Sequence, residues 1–169
     1  MTSQRVLPGA LLLICGLGAL TGCCHRPSGA GGPVPVAPDS LTGVVAIAGT
    51  AFEQRIVLRS GESTVALAAS AVDSAALSRV GGVEIMVRGR SEASTFRVAS
   101  FAVERVDGAP VVDGVITRDG EHLVLATATR RILLGNPPAA FQGMIGARVW
   151  VGGPRDTGPN NYGVIRPAP

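Results

Sequence analysis

Few side chains in this sequence have the chemistry of a catalytic or metal-binding centre. The chain of 169 residues contains two histidines, three cysteines and no lysine, so all fifteen of its basic residues are arginines. The absence of lysine excludes Schiff-base chemistry and the phosphate-binding lysine of nucleotide hydrolases and kinases. Two histidines and three cysteines leave little for metal or thiol catalysis.

His122 is the one histidine outside the N-terminal region, and it follows Asp119 and Glu121 closely. A serine nucleophile needs such a base together with an orienting acid, and no G-x-S-x-G elbow occurs. Metal sites need several ligands at short range, which Glu121 and His122 alone do not supply. Asp107, Asp113 and Asp119 fit turn and strand-edge roles. We therefore expect a half-exposed strand-end histidine, with no catalytic residue, no metal ligand and no cofactor.

The first 23 residues have the order of a bacterial export signal. Residues 1–5 are polar with one positive charge, and residues 6–19 are almost wholly apolar but too short for an unaided transmembrane span. The next four residues are Leu20, Thr21, Gly22 and Cys23. They resemble the lipobox of bacterial lipoproteins, in which a dedicated peptidase cuts before the cysteine. The resemblance implies a signal peptide at 1–22 and a diacylglycerol on Cys23, which with N-acylation gives stable membrane anchoring.

The lipobox also accounts for the cysteines. Cys15 leaves with the signal peptide and Cys23 carries lipid, so Cys24 is the only remaining thiol and no intramolecular disulfide can form. Since Cys24 rather than aspartate follows the lipidated residue, the resemblance favours the outer membrane, facing the periplasm. Loss of Arg5 lowers the net charge from +3 to +2, which gives no electrostatic reason to expect nucleic acid as a partner.

Residues 23–42 form the lipidated cysteine and a tether. Glycine, proline and small residues dominate and no hydrophobic period survives, which is typical of a flexible to semi-extended linker. His25 lies in this segment beside the anchor, so we expect it to be an exposed bystander.

The chain beyond the tether has the chemistry of β-strands. Short runs rich in Val, Ile and Leu alternate with glycine-containing turns. Around residues 99 and 100 the apolar parity shifts, which predicts a bulge that keeps Phe96, Val98, Phe101 and Val103 on the core face. We predict strands at 43–52, 54–59, 63–68, 83–89, 95–106, 110–118, 122–127, 129–134, 147–152 and 162–166.

Two short helices interrupt the strands. For the first, Ser70 is the predicted N-cap with Asp73 three residues later, Gly81 ends the helix, and the predicted buried face is Val72, Ala76, Leu77 and Val80. For the second, Asn136 is the predicted cap, Pro137 takes the first helical position, and Phe141, Met144 and Ile145 form the apolar face before Gly146.

The two halves of the body look like copies. Residues 82–89 align with residues 146–153 at an offset of 64, as do Leu77 with Phe141 and Val80 with Met144. Looser matches pair Gly49 with Gly114 and Leu67 with Leu133. Each half has three strands, a helix and two strands, an order that resembles the OB-fold. We predict an all-β fold with two short helices, built as two tandem OB-like five-stranded barrels at 43–107 and 108–169 that pack together. The alternative is one larger ten-stranded sandwich or barrel.

The resemblance to OB-folds suggests where a ligand would bind, because such barrels use basic and aromatic side chains on an exposed face. Trp150 shares a face with Arg148 and matches Met86 of the first half, which lies between Glu84 and Arg88. We therefore name Trp150, Arg148, Met86 and Arg88 as the candidate ligand-binding set.

These features predict a lipid-anchored binding or interaction protein of the bacterial cell envelope that is not an enzyme. Its partners would be the membrane, through Cys23, and an envelope protein, a polysaccharide or a small ligand. Two alternatives remain open: an envelope hydrolase that uses His122 with a nearby serine, and a structural subunit of an envelope assembly in which Cys24 cross-links to a partner.

Overall fold

The computed structural model of the protein describes residues 39–154 and 158–169. The predicted signal peptide, the lipobox with Cys23, Cys24, His25 and most of the predicted tether lie outside the described residues. The predictions about them therefore stay predictions.

The described residues form a mostly β structure with ten strands and two short helices, connected in one sheet. All ten predicted strands are confirmed, with ends that differ by a few residues. In chain order the elements are β1 (Asp39–Ala48), β2 (Arg55–Ser60), β3 (Ser63–Ala68), α1 (Ala71–Arg79), β4 (Glu84–Glu92), β5 (Thr95–Val106), β6 (Ala109–Asp119), β7 (His122–Ala126), β8 (Arg131–Leu133), a 3-10 helix (Ala139–Met144), β9 (Arg148–Gly152) and β10 (Asn161–Arg166).

Strand β1 begins before the predicted end of the tether. Its first residues pair with β4, from Asp39 opposite Gly89 to Val44 opposite Glu84. The Asp39 carboxylate also accepts a hydrogen bond from the Ser91 backbone N–H at 3.2 Å. Strand pairing therefore includes residues 39–42, whose composition alone indicates a linker.

The predicted bulge in β5 is confirmed. The pairing of β5 with β4 shifts by one residue between Ser100 and Val98, which leaves Ala99 without an opposite partner. The shift changes the parity of the strand, so that Phe96 and Phe101 are both buried.

Helix α1 begins as predicted. The Asp73 backbone N–H donates to the Ser70 hydroxyl oxygen at 3.1 Å, which makes Ser70 the N-cap. Ala76 and Leu77 are buried, and Val80 at the C-cap is buried as well. Val72 was predicted to share this face, but its side chain is 58% exposed, so that part of the prediction is wrong.

The second helix is a 3-10 helix that starts later than predicted. Pro138, not Asn136, is its N-cap, and no side chain caps it. Asn136 has a left-handed φ of 40°, whereas an N-cap residue needs an extended backbone. Pro137 precedes another proline, a position that disfavours the helical region. Phe141 is fully buried and anchors the segment as predicted.

The first five strands form a closed circuit of pairings. β1 pairs with β2 and with β4, β2 pairs with β3, and β4 pairs with β5, all antiparallel. The circuit closes where β3 runs parallel to β5, from Ala66 opposite Thr95 to Ala68 opposite Arg97. We call these strands together with α1 the N-terminal set.

The last five strands repeat the same neighbour order without the closing pair. β6 pairs with β7 and with β9, β7 pairs with β8, and β9 pairs with β10, all antiparallel. Among the described residues, β8 and β10 do not pair with each other. We call these strands together with the 3-10 helix the C-terminal set.

Outside their strand ladders, the two sets contain equivalent backbone hydrogen bonds. In the N-terminal set, the Val45 N–H donates to the Val83 carbonyl and the Gly82 N–H donates to the Val45 carbonyl, at 3.0 and 2.8 Å. In the C-terminal set, Ile116 takes the place of Val45, with Ala147 and Gly146 as its partners, at the same two distances. In both sets this connection joins the end of the helix to the first strand.

Two glycines mark the same position in the two sets. A Cβ at Gly43 would lie 2.4 Å from the Arg59 carbonyl oxygen, and one at Gly114 would lie 2.7 Å from the Ala126 carbonyl oxygen. Only glycine leaves room for so close an approach of the neighbouring strand. The register therefore places Gly43, rather than the predicted Gly49, in the position of Gly114.

Each set has its own apolar cluster, and residues of the C-terminal set also pack into the first cluster. The first cluster includes Leu77, Ile85 and Phe96, and the second includes Leu125 and Phe141. Ile165, on the last strand β10, is fully buried in the first cluster. Trp150 and Val111 also pack against that cluster from the C-terminal set. The two sets are therefore joined by apolar contacts.

Candidate functional site

The best-defined polar contact lies where the two sets meet. β5 pairs with β3 only as far as Arg97 and with β6 only from Arg105, so a stretch of one β5 edge has no strand beside it. The Asp113 carboxylate accepts the N–H of Val103 on this edge at 3.0 Å. The Arg148 guanidinium donates to the neighbouring Phe101 carbonyl. These two side chains satisfy backbone groups that a neighbouring strand would otherwise satisfy.

Asp113 and Arg148 also bind each other. Arg148 donates from Nε to Oδ1 of Asp113 at 2.8 Å and from Nη2 to Oδ2, which is a two-point charge-assisted contact. The side chains are only 6% and 19% exposed, and the Arg148 guanidinium lies 4.4 Å from the centre of the Phe101 ring. Arg148, a member of the candidate ligand-binding set, therefore has its charge paired and its Nε and Nη2 donors engaged within the protein.

Trp150 also lies at the junction between the two sets. It is half-buried and packs against the first cluster, and its indole lies across Gly163 of the neighbouring strand. A Cβ at Gly163 would lie 2.5 Å from the indole Nε1. Both tryptophan and arginine therefore help to join the two sets.

Met86 and Arg88 lie on β4 in the N-terminal set, where Met86 is half-buried and Arg88 is exposed. Of three surface clefts in the described part of the chain, none is lined by Met86, Arg88, Arg148 or Trp150. These clefts therefore do not gather the four residues into one groove, and ligand binding by the set stays a prediction.

His122 lies at the start of β7, the strand-end position predicted from the sequence, and it is exposed where a half-exposed side chain was expected. The cleft beside it has a volume of about 300 Å³ and is lined by Asp119, Val124, Arg131 and Leu133. This lining includes no serine, threonine or cysteine. An arginine-to-carboxylate contact of 3.5 Å between Arg131 and Asp119 is the polar interaction in this cleft.

A second cleft, of about 450 Å³, lies where β5 and β6 diverge. Arg105 and Arg130 line it together with Glu104 and Thr129. The Thr127 hydroxyl donates to the Arg130 carbonyl at 2.8 Å and accepts the backbone N–H groups of Thr129 and Arg130, so its hydrogen-bonding capacity is used within its own turn.

The largest of the three clefts, about 570 Å³, lies beside the loop between β1 and β2. Ile47 of β1 and Ile56 of β2 are opposite each other and lie on the inward-facing side of their strands. Together with Leu67 of β3 they form the apolar floor of the cleft. Arg55 of β2 and Ser78 of helix α1 belong to the polar rim of the cleft. We call this the β1–β2 cleft. Sequence analysis did not find it, since its floor residues lie in three separate strands.

The loop beside this cleft carries the most exposed apolar side chain of the described residues. Phe52 is 98% exposed. A turn closed by the Glu53 N–H on the Thr50 carbonyl at 3.1 Å holds Phe52 at its tip. Ile47, on the cleft floor, is 47% exposed. An apolar knob and an apolar recess therefore occur at the same end of the N-terminal set.

One exposed carboxylate has a shifted pKa. Arg97 donates two hydrogen bonds to Glu92, at 2.7 and 2.8 Å. These bonds hold the pKa of Glu92 below its usual value and raise that of Arg97. The pair spans the hairpin between β4 and β5.

Within residues 39–154 and 158–169, no group of three or more His, Cys, Asp or Glu side chains could hold a metal ion. No helix in this part of the chain is long and apolar enough to cross a membrane.

Comparison with known proteins adds no family to these observations. No family model matches the chain, and neither a curated protein nor a solved structure matches it.

Proposed function

We propose that this chain is a lipid-anchored binding protein of the bacterial cell envelope, attached through Cys23 and lacking catalytic activity. The observation that carries the anchor is the order of a charged start, a short apolar run and Leu20-Thr21-Gly22-Cys23. A tether rich in proline and glycine then separates Cys23 from the first paired residue, Asp39. This order would hold a folded body close to a membrane surface.

We further propose that the body consists of two tandem OB-like units, the N-terminal and C-terminal sets. The closed circuit of β1, β2, β3, β5 and β4, with a helix between the third and fourth strands, is the strand order of an OB-fold. The C-terminal set keeps the order, the helix position and the hydrogen bonds of Ile116, which supports an internal duplication.

A binding role follows from this architecture, because OB-like barrels hold ligands on strand faces and in the loops at their ends. An envelope protein, a polysaccharide or a small ligand would fit the proposed location. The most exposed apolar group and the largest of the three clefts both lie at one such loop, between β1 and β2.

Metabolic labelling with a fatty acid tests the anchor. The wild-type chain should incorporate label, and Cys23→Ala should incorporate none, because lipid is attached only at that thiol. Cys24→Ala is a matched control, since it removes the adjacent thiol without changing the lipobox, and it should be labelled like the wild type. A labelled Cys23→Ala protein would refute the proposal, as would loss of label in Cys24→Ala alone.

A further inference from the structure

We propose that two copies of this chain associate through their β1–β2 loops, with Phe52 of each copy seated in the β1–β2 cleft of the other. The contact belongs to the folded body and does not depend on lipidation of Cys23.

The argument begins with the exposure of Phe52. The chain contains six aromatic residues, and the other five are buried or half-buried. An exposed phenylalanine at a turn tip costs solvation free energy and adds nothing to the core. Such a residue is typical of an interaction site, since aromatic side chains dominate protein interfaces.

The cleft supplies the matching recess. Ile47, Ile56 and Leu67 form its apolar floor, and its volume of about 570 Å³ exceeds that of a phenylalanine side chain. Phe52 and the β1–β2 cleft lie side by side on one surface. Two copies related by a two-fold axis can therefore each place Phe52 in the cleft of the other. Such an isologous contact is the commonest form of homodimer.

Charge supports a second copy as the occupant. Glu53 follows Phe52 on the loop, and Arg55 lies on the rim of the cleft. Both side chains are exposed, and neither forms an ion pair within the described residues. When the loops of two copies face each other, Glu53 of one meets Arg55 of the other, and the same pair forms again across the axis.

Co-purification of two differently tagged full-length copies from one cell tests the proposal. The wild-type copies should capture each other after detergent extraction. Phe52→Ser in both copies should reduce capture by about tenfold or more, because it removes the central aromatic anchor. Val72→Ser is the matched control, since Val72 is exposed on α1 outside the cleft lining, and it should leave capture unchanged.

A charge exchange tests the two-fold geometry. Glu53→Arg alone and Arg55→Glu alone each place like charges together and should weaken capture. The double variant Glu53→Arg/Arg55→Glu restores both pairs and should recover it.

Three outcomes would overturn the proposal: no capture between wild-type copies, capture that survives Phe52→Ser, or failure of the double variant to recover what each single variant loses. Binding to vesicles of anionic phospholipid that is lost in Phe52→Ser, without self-capture, would assign Phe52 to a membrane surface instead.

Discussion

Replacing Asp113 by alanine should destabilise the protein more than any exposed charge change. Asp113 accepts three hydrogen bonds: one from the Val103 backbone N–H and two from Arg148. The variant leaves that N–H without an acceptor, at a cost of about 1–3 kcal/mol. It also leaves Arg148 without its counter-ion, and breaking a buried ion pair on one side costs about 3–5 kcal/mol. Because Arg148 keeps 19% exposure and can recruit water, we expect a total near the lower end of the summed costs, at about 4 kcal/mol.

Equilibrium unfolding in urea, followed by the fluorescence of Trp150, measures this cost. Trp150 is the only tryptophan of the chain and lies at the junction that the variant perturbs. Asp119→Ala is the control, because the contact of Asp119 with Arg131 is 3.5 Å long and exposed, and it should cost about 1 kcal/mol or less.

A double-variant cycle separates the pair from its surroundings. Asp113→Ala/Arg148→Met removes both charges, so it should cost less than the sum of the two single variants. The reasoning is refuted if Asp113→Ala costs no more than Asp119→Ala, or if the single effects simply add.

Three further changes have defined outcomes. Ile165→Ala should lower the free energy of unfolding by about 2–4 kcal/mol in the same assay, since Ile165 fills the first cluster from the last strand; a loss under 1 kcal/mol would contradict that packing. Gly163→Ala should shift Trp150 emission to longer wavelength, because its Cβ would displace the indole, and unchanged emission would argue against the close contact. The pKa of Glu92, followed by NMR, should lie below the usual value and rise toward it in Arg97→Gln. Folding lowers the pKa of Glu92, so the contact stabilises the protein at pH values above the pKa of the unfolded state. This stabilisation is lost as the pH falls through the pKa of the folded state. An equal pKa of Glu92 in the wild type and in Arg97→Gln would exclude the contact.

The sequence predicts the strands well where local chemistry determines them. β3 and β5 have the predicted ends, because glycine turns or short polar turns flank apolar runs. The bulge at Ala99 follows from the shift in apolar parity alone. These features depend on neighbours in the chain, which is why they can be predicted without knowing the fold.

The junction between the two sets could not be predicted in this way. Asp113 and Arg148 are 35 residues apart, and the backbone groups that they satisfy belong to a third strand. Asp113 lies within β6, opposite Trp150 of β9, and no local pattern indicates that its carboxylate satisfies a backbone group of β5. Ile165 likewise resembles any buried strand residue until the fold places it in the first cluster.

In the proposed duplication, equivalent faces of the N-terminal and C-terminal sets have different roles. Met86 is opposite Thr42 in the N-terminal set, and Trp150 is opposite Asp113 in the C-terminal set, so these pairs occupy the same position in the two units. In the C-terminal unit that face carries an ion pair and an indole, and it is used to join the units.

In the N-terminal unit the equivalent face retains Met86 and an exposed Arg88, without the aspartate and tryptophan that make the junction. Of the four residues first grouped by sequence, Arg148 and Trp150 therefore help to join the two sets, whereas on β4 Met86 is half-buried and Arg88 is exposed. A ligand that uses this face would contact the N-terminal unit, which also carries Phe52 and the β1–β2 cleft. Binding lost through Arg88→Ala and retained in a folded variant of Trp150 would follow from this division of roles. The opposite pattern would place the ligand at the junction.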